Sequence, residues 1–501
     1  MGKPTGFMEY ERVESAHRPV KERIGDYFDL VLPPDRETIT RQSARCMDCG
    51  VPFCHAGILV EGSSIGCPLG NLVPEINDLV YRGDVEAAYA RMTMMHPFPE
   101  FTSRVCPALC EGSCTLGEHE PAVTIRDIER YVVDTMLDGG KLRPRPPRSR
   151  TGRRVAVVGS GPSGLACADV LNRLGHQVTI FERANRPGGL LTYGIPNMKL
   201  EKSLVDQRIQ IMAEENVTFV LNAEVGLDVP VIRLMTEFDA VVLCCGATNE
   251  RKLDVPGCDL KGVYTAIPYL TASTKRLLDP NNAVLPGLSL RGAEPSSLDA
   301  RGRKVVVVGG GDTGTDCVGT AIRQGAESVV QLEIMPPLPE CRAPENPWPL
   351  WPRVFRTDYG HCEARELFGA DPRRFSTTLR EIHGEGGRVS SVTAVEVEWG
   401  TEGGRRVPRP IPGTEFELEA DLVVTAMGFT GPERTLIDQL QLEVDGRGCV
   451  RAGDNDYKSS LLTVFAAGDM RRGPSLVVWA LREGRNAALS CDRYLNERQG
   501  F

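Results

Sequence analysis

No apolar run in this 501-residue sequence approaches the ~18 residues that a membrane-spanning helix needs. The opening stretch, MGKPTGFMEYERVESAHRPV, is rich in charge and lacks the apolar centre of a secretory signal. It begins Met-Gly, but Gly6 stands where myristoylation asks for Ser or Thr. Positive charge is short as well: a net charge of −9 argues against nucleic acid as the main partner. The one exception, KLRPRPPRSRTGRR from Lys141 to Arg154, reads as a solvated Pro/Arg linker, with a basic collar near phosphates as the alternative. These absences predict a cytoplasmic chain with neither membrane nor nucleic acid as partner. In that reducing compartment structural disulfides are not expected.

Cysteine is what the sequence has in excess. Of sixteen, seven fall close together: Cys46, Cys49, Cys54, Cys67, Cys106, Cys110 and Cys114. The C-x2-C-x4-C spacing followed by two Cys-Pro pairs suits iron–sulfur or zinc ligands better than core residues. Around them, residues 1 to about 145 read as short helices joined by loops, with no period-two strand pattern. Asp84 is a good N-cap for a helix that puts Val85, Ala88, Tyr89 and Met92 on one face. Met92, Met94 and Met95 are assigned to core packing.

At Arg153 the character changes. A β-branched run ending at Val158 leads into Gly159, Ser160, Gly161, Pro162, Ser163 and Gly164; a helical stretch and the strand Gln177–Phe181 follow, closed by Glu182. In that context each glycine has a task. The first allows the tight turn, the second lets a pyrophosphate reach the backbone, and the third lets helix and strand pack closely. The helix N-terminus faces the phosphates, and Glu182 is placed for a ribose. The unit recurs at Lys304–Val308, with Gly309, Gly310, Gly311, Asp312, Thr313 and Gly314, and its second strand ends in Glu333. Two fingerprints imply two dinucleotides, and the pair that exchanges a hydride is a flavin and a nicotinamide.

A flavin that accepts a hydride and releases electrons singly needs a metal outlet, which favours iron–sulfur over zinc for the thiols. Seven thiols fall one short of two four-iron clusters. Glu129 shares a helix face with Ile125, Ile128 and Val132, where a carboxylate is costly unless coordinated or paired. It is a candidate eighth ligand; the alternative is a buried pair with Arg104 or Arg126. Cys244 and Cys245 end an apolar strand and read as inert. The proline-dense stretch Met335–Pro352 is expected to be a loop near the nicotinamide nucleotide, and residues 386–420 a β-meander.

Gly188-Gly189-Leu190 after the first unit and the late Gly468-Asp469 resemble the two-dinucleotide-domain flavoprotein reductases. That likeness implies an FAD domain split between residues 150–270 and 430–501, with the NAD(P)H domain, 271–425, inserted in it. The whole chain, from C-x2-C-G-x-P-F-C at Cys46–Cys54 to Gly468-Asp469, resembles the glutamate synthase small (β) subunit family. Its N-terminal module and flavin domain are also similar to dihydropyrimidine dehydrogenase. The expected architecture is α/β: a helical iron–sulfur domain, residues 1–145, followed by two Rossmann-like domains. By resemblance, Cys46, Cys49, Cys54 and Cys114 hold one [4Fe-4S] cluster, and Cys67, Cys106, Cys110 and Glu129 hold the other; the relative has Gln where this chain has Glu129. The family implies that NADPH reduces FAD and that single electrons pass through the clusters to a large (α) subunit. There glutamine and 2-oxoglutarate become glutamate. A β-like NAD(P)H:acceptor oxidoreductase of another complex, of the ferredoxin:NADP transhydrogenase or sulfide dehydrogenase type, would share these modules. Glu333 by itself favours NADH; the family favours NADPH, with Arg342 or Arg323 as the 2′-phosphate reader.

Overall fold

The computed structural model describes residues 2–279 and 298–497. Arg154–Val158 is the middle strand of a five-stranded parallel sheet ordered Val464–Ala466, Ala240–Leu243, Arg154–Val158, Gln177–Phe181, Thr218–Val220. Helices cover parallel sheets on both faces, so the inner strands are apolar throughout and do not alternate. Val155, Val157 and Val242 are fully buried on this account. One edge strand comes from the far end of the chain, which makes the domain discontinuous. The second parallel sheet runs Arg373–Arg374, Ser328–Leu332, Lys304–Val308, Leu422–Thr425, Val263–Thr265. The meander Thr377–Glu385, Arg388–Glu402 and Arg405–Pro410, with Phe416–Glu419 on the long strand, lies between its last strands in sequence.

The chain crosses between the two sheets through one antiparallel pair, Asn249–Glu250 with Phe429–Gly431. The boundary expected at 270/271 is corrected by this pairing. It falls inside the helix Ala266–Leu278, whose preceding strand belongs to the second sheet.

The N-terminal module is a set of short helices, among them Val73–Tyr81, Val85–Met92, Pro99–Val105 and Ile125–Asp138, around Ile39, Val80, Met92, Ile128 and Val132. Asp84 caps its helix as expected, accepting from the Ala87 amide at 3.0 Å. Two expectations fail here. A hairpin, Ile58–Val60 with Ser63–Ile65, follows Cys54; three-residue strands are too short to show a period. Met94 is 63% exposed, because it follows the helix end rather than continuing its buried face.

Buried charges lock the parts together. Glu363 accepts from Arg23 Nε at 2.7 Å and Arg323 Nη1 at 2.6 Å, joining the N-terminal segment to two helices of the second Rossmann domain. Arg208, on the first Rossmann domain, pairs with Glu100 of the module at 2.5 Å and stacks on Phe98. In the linker after Lys141, one arginine of the basic run is committed to the protein itself. Arg150 donates to the His176 and Glu215 carbonyls at 2.8 and 3.0 Å, just past the C-terminal ends of two helices, where a cation is favoured. No helix among the described residues is long and apolar enough to cross a membrane.

Candidate electron-transfer site

The two glycine turns are cradles of the same construction. Gly159 (φ +97°) and Gly309 (φ +122°) lie where side chains are strained, and a Cβ would sit 2.5 Å from the Cys244 carbonyl or 2.3 Å from that of Ala426. A Cβ on Gly164 or Gly314 would collide with the carbonyl of the first glycine, at 1.9 and 2.1 Å. Gly161 and Gly311 differ: no protein atom lies within 4 Å of a Cβ built there. That open space sits at the N-termini of the helices Pro162–Arg173 and Asp312–Gln324, whose first amides have no side-chain cap. The cradles fit the pyrophosphates of two dinucleotides. Asp312 and Thr313 open the second helix.

Around the first cradle, Glu182 accepts from the Ser160 amide at 3.0 Å and the Ser160 hydroxyl at 2.5 Å, and from the Ala184 amide at 2.8 Å. It thus braces the turn. Gly189 (φ +55°) passes so near Gly161 that its Cβ would be 2.9 Å from the Gly161 Cα, and Leu190 opens the next helical turn. Gly468 (φ +68°) lies against Ser163, and burial pushes Asp469 up to about 6 while the Ser475 hydroxyl bonds it at 2.6 Å. Cys244 is buried, and burial pushes Cys245 up to about 12, as suits an inert thiol.

Around the second cradle, Gln331 donates to the Gly309 carbonyl at 2.8 Å. Behind it His361 contacts Gln331 Oε1 at 2.9 Å and Thr315 Oγ1 at 2.8 Å through Nε2, while Nδ1 accepts from the Asp358 amide. The ring is therefore neutral, and burial holds its pKa down at about 4. Glu333 lies over Gly310, where its carboxylate occupies the space of a side chain.

Both arginines expected to read a 2′-phosphate are bonded within the protein. Arg342 donates to the Leu350 carbonyl at 2.7 Å and the Gly112 carbonyl at 2.9 Å, and Arg323 is buried on Glu363. The loop from Met335 to Pro352 leaves the adenosine end but packs on the cysteine module. Trp348 donates to the Cys114 carbonyl at 3.1 Å, Ser113 donates to that of Pro349 at 2.9 Å, and a Cβ on Gly112 would strike Trp351. Proline fixes backbone but says nothing of what it packs on, so the sequence carried no signal for this clamp. Beside Glu333, the Glu333 amide donates to the Arg374 carbonyl at 2.8 Å, and the Arg374 side chain is exposed.

The eight candidate ligands fall into two groups. Cys46, Cys49, Cys54 and Cys114 line one cavity with Met47, Pro52 and Val123. Burial pushes Cys67 up to about 11 and Cys106 to about 12, and Glu129 lies near enough to raise Cys67, Cys106 and Cys110 further. The first group sits in the module's own core; Cys67 shares the core of the flavin-type domain with Val155 and Leu165. Neither arginine bonds Glu129 directly: Arg104 is on Asp134 at 2.6 Å, and Arg126 donates to the Cys106 carbonyl and favours the Glu129 carboxylate only through space. Its carboxylate instead accepts from the Thr102 hydroxyl, with His96 Nε2 2.6 Å from that hydroxyl, and burial pushes it up to about 8. Among the described residues no three His, Cys, Asp or Glu side chains converge at the spacing of a single ion. Tetrahedral zinc, with Zn–S near 2.3 Å, would need sulfurs about 3.8 Å apart. The cavity lined by Cys46, Cys49, Cys54 and Cys114 has the donor set of an iron–sulfur site.

The comparisons agree with this layout. The family model described as pyridine nucleotide-disulphide oxidoreductase matches residues 127–232 and 154–484. The model for dihydropyrimidine dehydrogenase domain II, 4Fe-4S cluster, matches residues 23–141. In fold, the chain is similar to Mycobacterium tuberculosis FprA in complex with NADPH, at 20% identity, TM-score 0.52, over 70% of this chain and 86% of that one. It is 44% identical to the glutamate synthase [NADH] of Schizosaccharomyces pombe over 98% of this chain but 23% of the relative. It is 48% identical to the glutamate synthase [NADPH] small chain of Bacillus subtilis over 99% of both chains. The chain belongs to the glutamate synthase small-chain family.

Proposed function

We propose that this chain is the NADPH-oxidising subunit of a cytoplasmic glutamate synthase, with Cys46, Cys49, Cys54 and Cys114 holding one [4Fe-4S] cluster and Cys67, Cys106, Cys110 and Glu129 the other. Bound FAD would supply hydride acceptance from NADPH and one-electron release, and the clusters a route to a large (α) subunit that would make glutamate from glutamine and 2-oxoglutarate. The protein's own work is placement and the exclusion of water, since hydride transfer needs no acid or base. The first cradle holds FAD, with Glu182, Gly189, Leu190, Gly468 and Asp469 around it; the second holds NADPH.

The observation that carries this reading is that Cys67, with Cys106 packed beside it, lies in the flavin-type core, whereas Cys46, Cys54 and Cys114 lie in the module's own core and Cys110 touches both. The group with Cys67 is built into the flavin-type core and the group with Cys46 lies beyond it, which gives electrons a direction outward from the flavin. Support for a separate large partner comes from the S. pombe relative, where a region like this chain makes up 23% of one polypeptide. With Arg342 and Arg323 engaged, exposed Arg374, whose backbone pairs with that of Glu333, is assigned to the 2′-phosphate.

Anaerobic NADPH should bleach the bound flavin of the isolated chain, and iron and sulfide should reach about eight each per chain. Glutamine-dependent glutamate formation should need a co-purifying large chain. Zinc without sulfide, or no bleaching, would overturn the reading.

A further inference from the structure

The helix Val477–Glu497, which comes after Gly468-Asp469 and the short helix Asp469–Arg472, carries three residues, each three positions on, that grip the loop between Cys54 and Leu69. Trp479 Nε1 donates to Ser64 Oγ at 3.1 Å, Arg482 Nη1 to the Gly57 carbonyl at 2.7 Å, and Arg485 Nη1 to the Leu69 carbonyl at 3.0 Å. Arg485 Nη1 also reaches the Met95 carbonyl at 2.6 Å, beside buried His96. Two carbonyls orient the guanidinium without neutralising it. Its other side-chain bond is to Asn486 Oδ1; burial and then Arg482 push its pKa down, and Cys67, two residues before the Leu69 carbonyl it holds, is the first of the acidic groups that push it up. The first ligand group shows the same arrangement: Arg45, 1% exposed, is held by the carbonyls of Tyr10, Pro121 and Ala122 and is close to Cys114. A buried cation satisfied only by carbonyls is costly by itself. Next to an anionic cluster its charge is matched.

We propose that Arg485 is an electrostatic positioning residue: its fixed charge raises the reduction potential of the cluster held by Cys67, Cys106, Cys110 and Glu129, making that cluster the electron acceptor on the flavin side. The inference rests on the two-cluster reading above. The cluster gains one electron, supplied by NADPH through the flavin, and Arg485 keeps its proton throughout, because guanidinium does not titrate in proteins. The charge favours the more negative, reduced form by Coulomb attraction in a half-buried setting.

The test is a potentiometric titration of the full chain followed by electron paramagnetic resonance, with iron and sulfide counted in each sample. R485M should lower the reduction equilibrium constant of one cluster about tenfold, a shift of about 59 mV for a one-electron couple, and move the other less. R485K should restore most of the shift, and R482M should not reproduce it. R485Q, which keeps a donor for the carbonyls and loses only the charge, decides the matter should R485M lose iron. Unmoved potentials with both clusters present, or equal shifts of both, would overturn the role of Arg485 alone. A wild-type chain with only one cluster would overturn both this inference and the reading beneath it.

Discussion

Gly161 and Gly311 offer a direct assignment of the two cradles, because alanine there meets no protein. Neither residue needs glycine's conformational freedom: φ is −66° at Gly161 and −81° at Gly311, values any residue adopts. With nothing within 4 Å of either Cβ, the folded chain should lose no more than about 0.5 kcal/mol. The added methyl instead stands in the space the phosphates need, ahead of uncapped helix amides. Displacing a phosphate from one charge-assisted hydrogen bond costs about 1.5–3 kcal/mol, about ten- to 150-fold in affinity. Gly161→Ala should therefore purify folded but depleted of FAD, with flavin binding weakened by that factor. Gly311→Ala should stay yellow and show the same loss in the Michaelis constant for NADPH. Circular dichroism checks the fold, absorbance at the flavin band checks occupancy, and stopped-flow reduction checks the nicotinamide site. A colourless Gly311→Ala beside a yellow Gly161→Ala would reverse the assignment; unfolding of either would refute the claim of open space.

Glu129→Ala should cost one cluster and spare the other, halving iron and sulfide, whereas Thr102→Val should leave the count intact and broaden that cluster's resonance signal. Glu363→Ala strands Arg23 and Arg323 in the interior and should destabilise the chain by about 3–5 kcal/mol in urea unfolding. Arg374→Ala should raise the Michaelis constant for NADPH at least about tenfold and leave that for NADH nearly unchanged; equal changes would discard the assignment. His361 is held down at about 4 against 6.5 in the unfolded chain, so below pH 6.5 the unfolded state binds the extra proton. That stability, about 3 kcal/mol, is fully present above pH 6.5 and lost as pH falls through 4. The wild type should weaken over that window, and His361→Gln should respond less.

The dinucleotide units were legible because each is written in one continuous stretch. Strand, glycine turn, helix and strand follow within about thirty residues, and φ > 0 at Gly159 and Gly309 leaves a mark in residue type. The same locality made the caps and apolar faces of the module readable, and the seven thiols conspicuous. What lay beyond reach were pairings set by the tertiary fold. Arg342 looked free beside an adenosine strand, but its carbonyl partner Gly112 is 230 residues away. Strand Val263–Thr265 joins the second sheet through Leu422–Thr425, which no local pattern announces. Taken alone, Glu129 reads better as an ion-pair member, but in the fold Arg104 is on Asp134. Arg485 reaches the cysteine loop across 416 positions of sequence. Periodicity and turn chemistry report what a residue's neighbours in the chain require. Which cation meets which carbonyl, and which thiols share a core, is decided only when buried surfaces from distant segments close on one another.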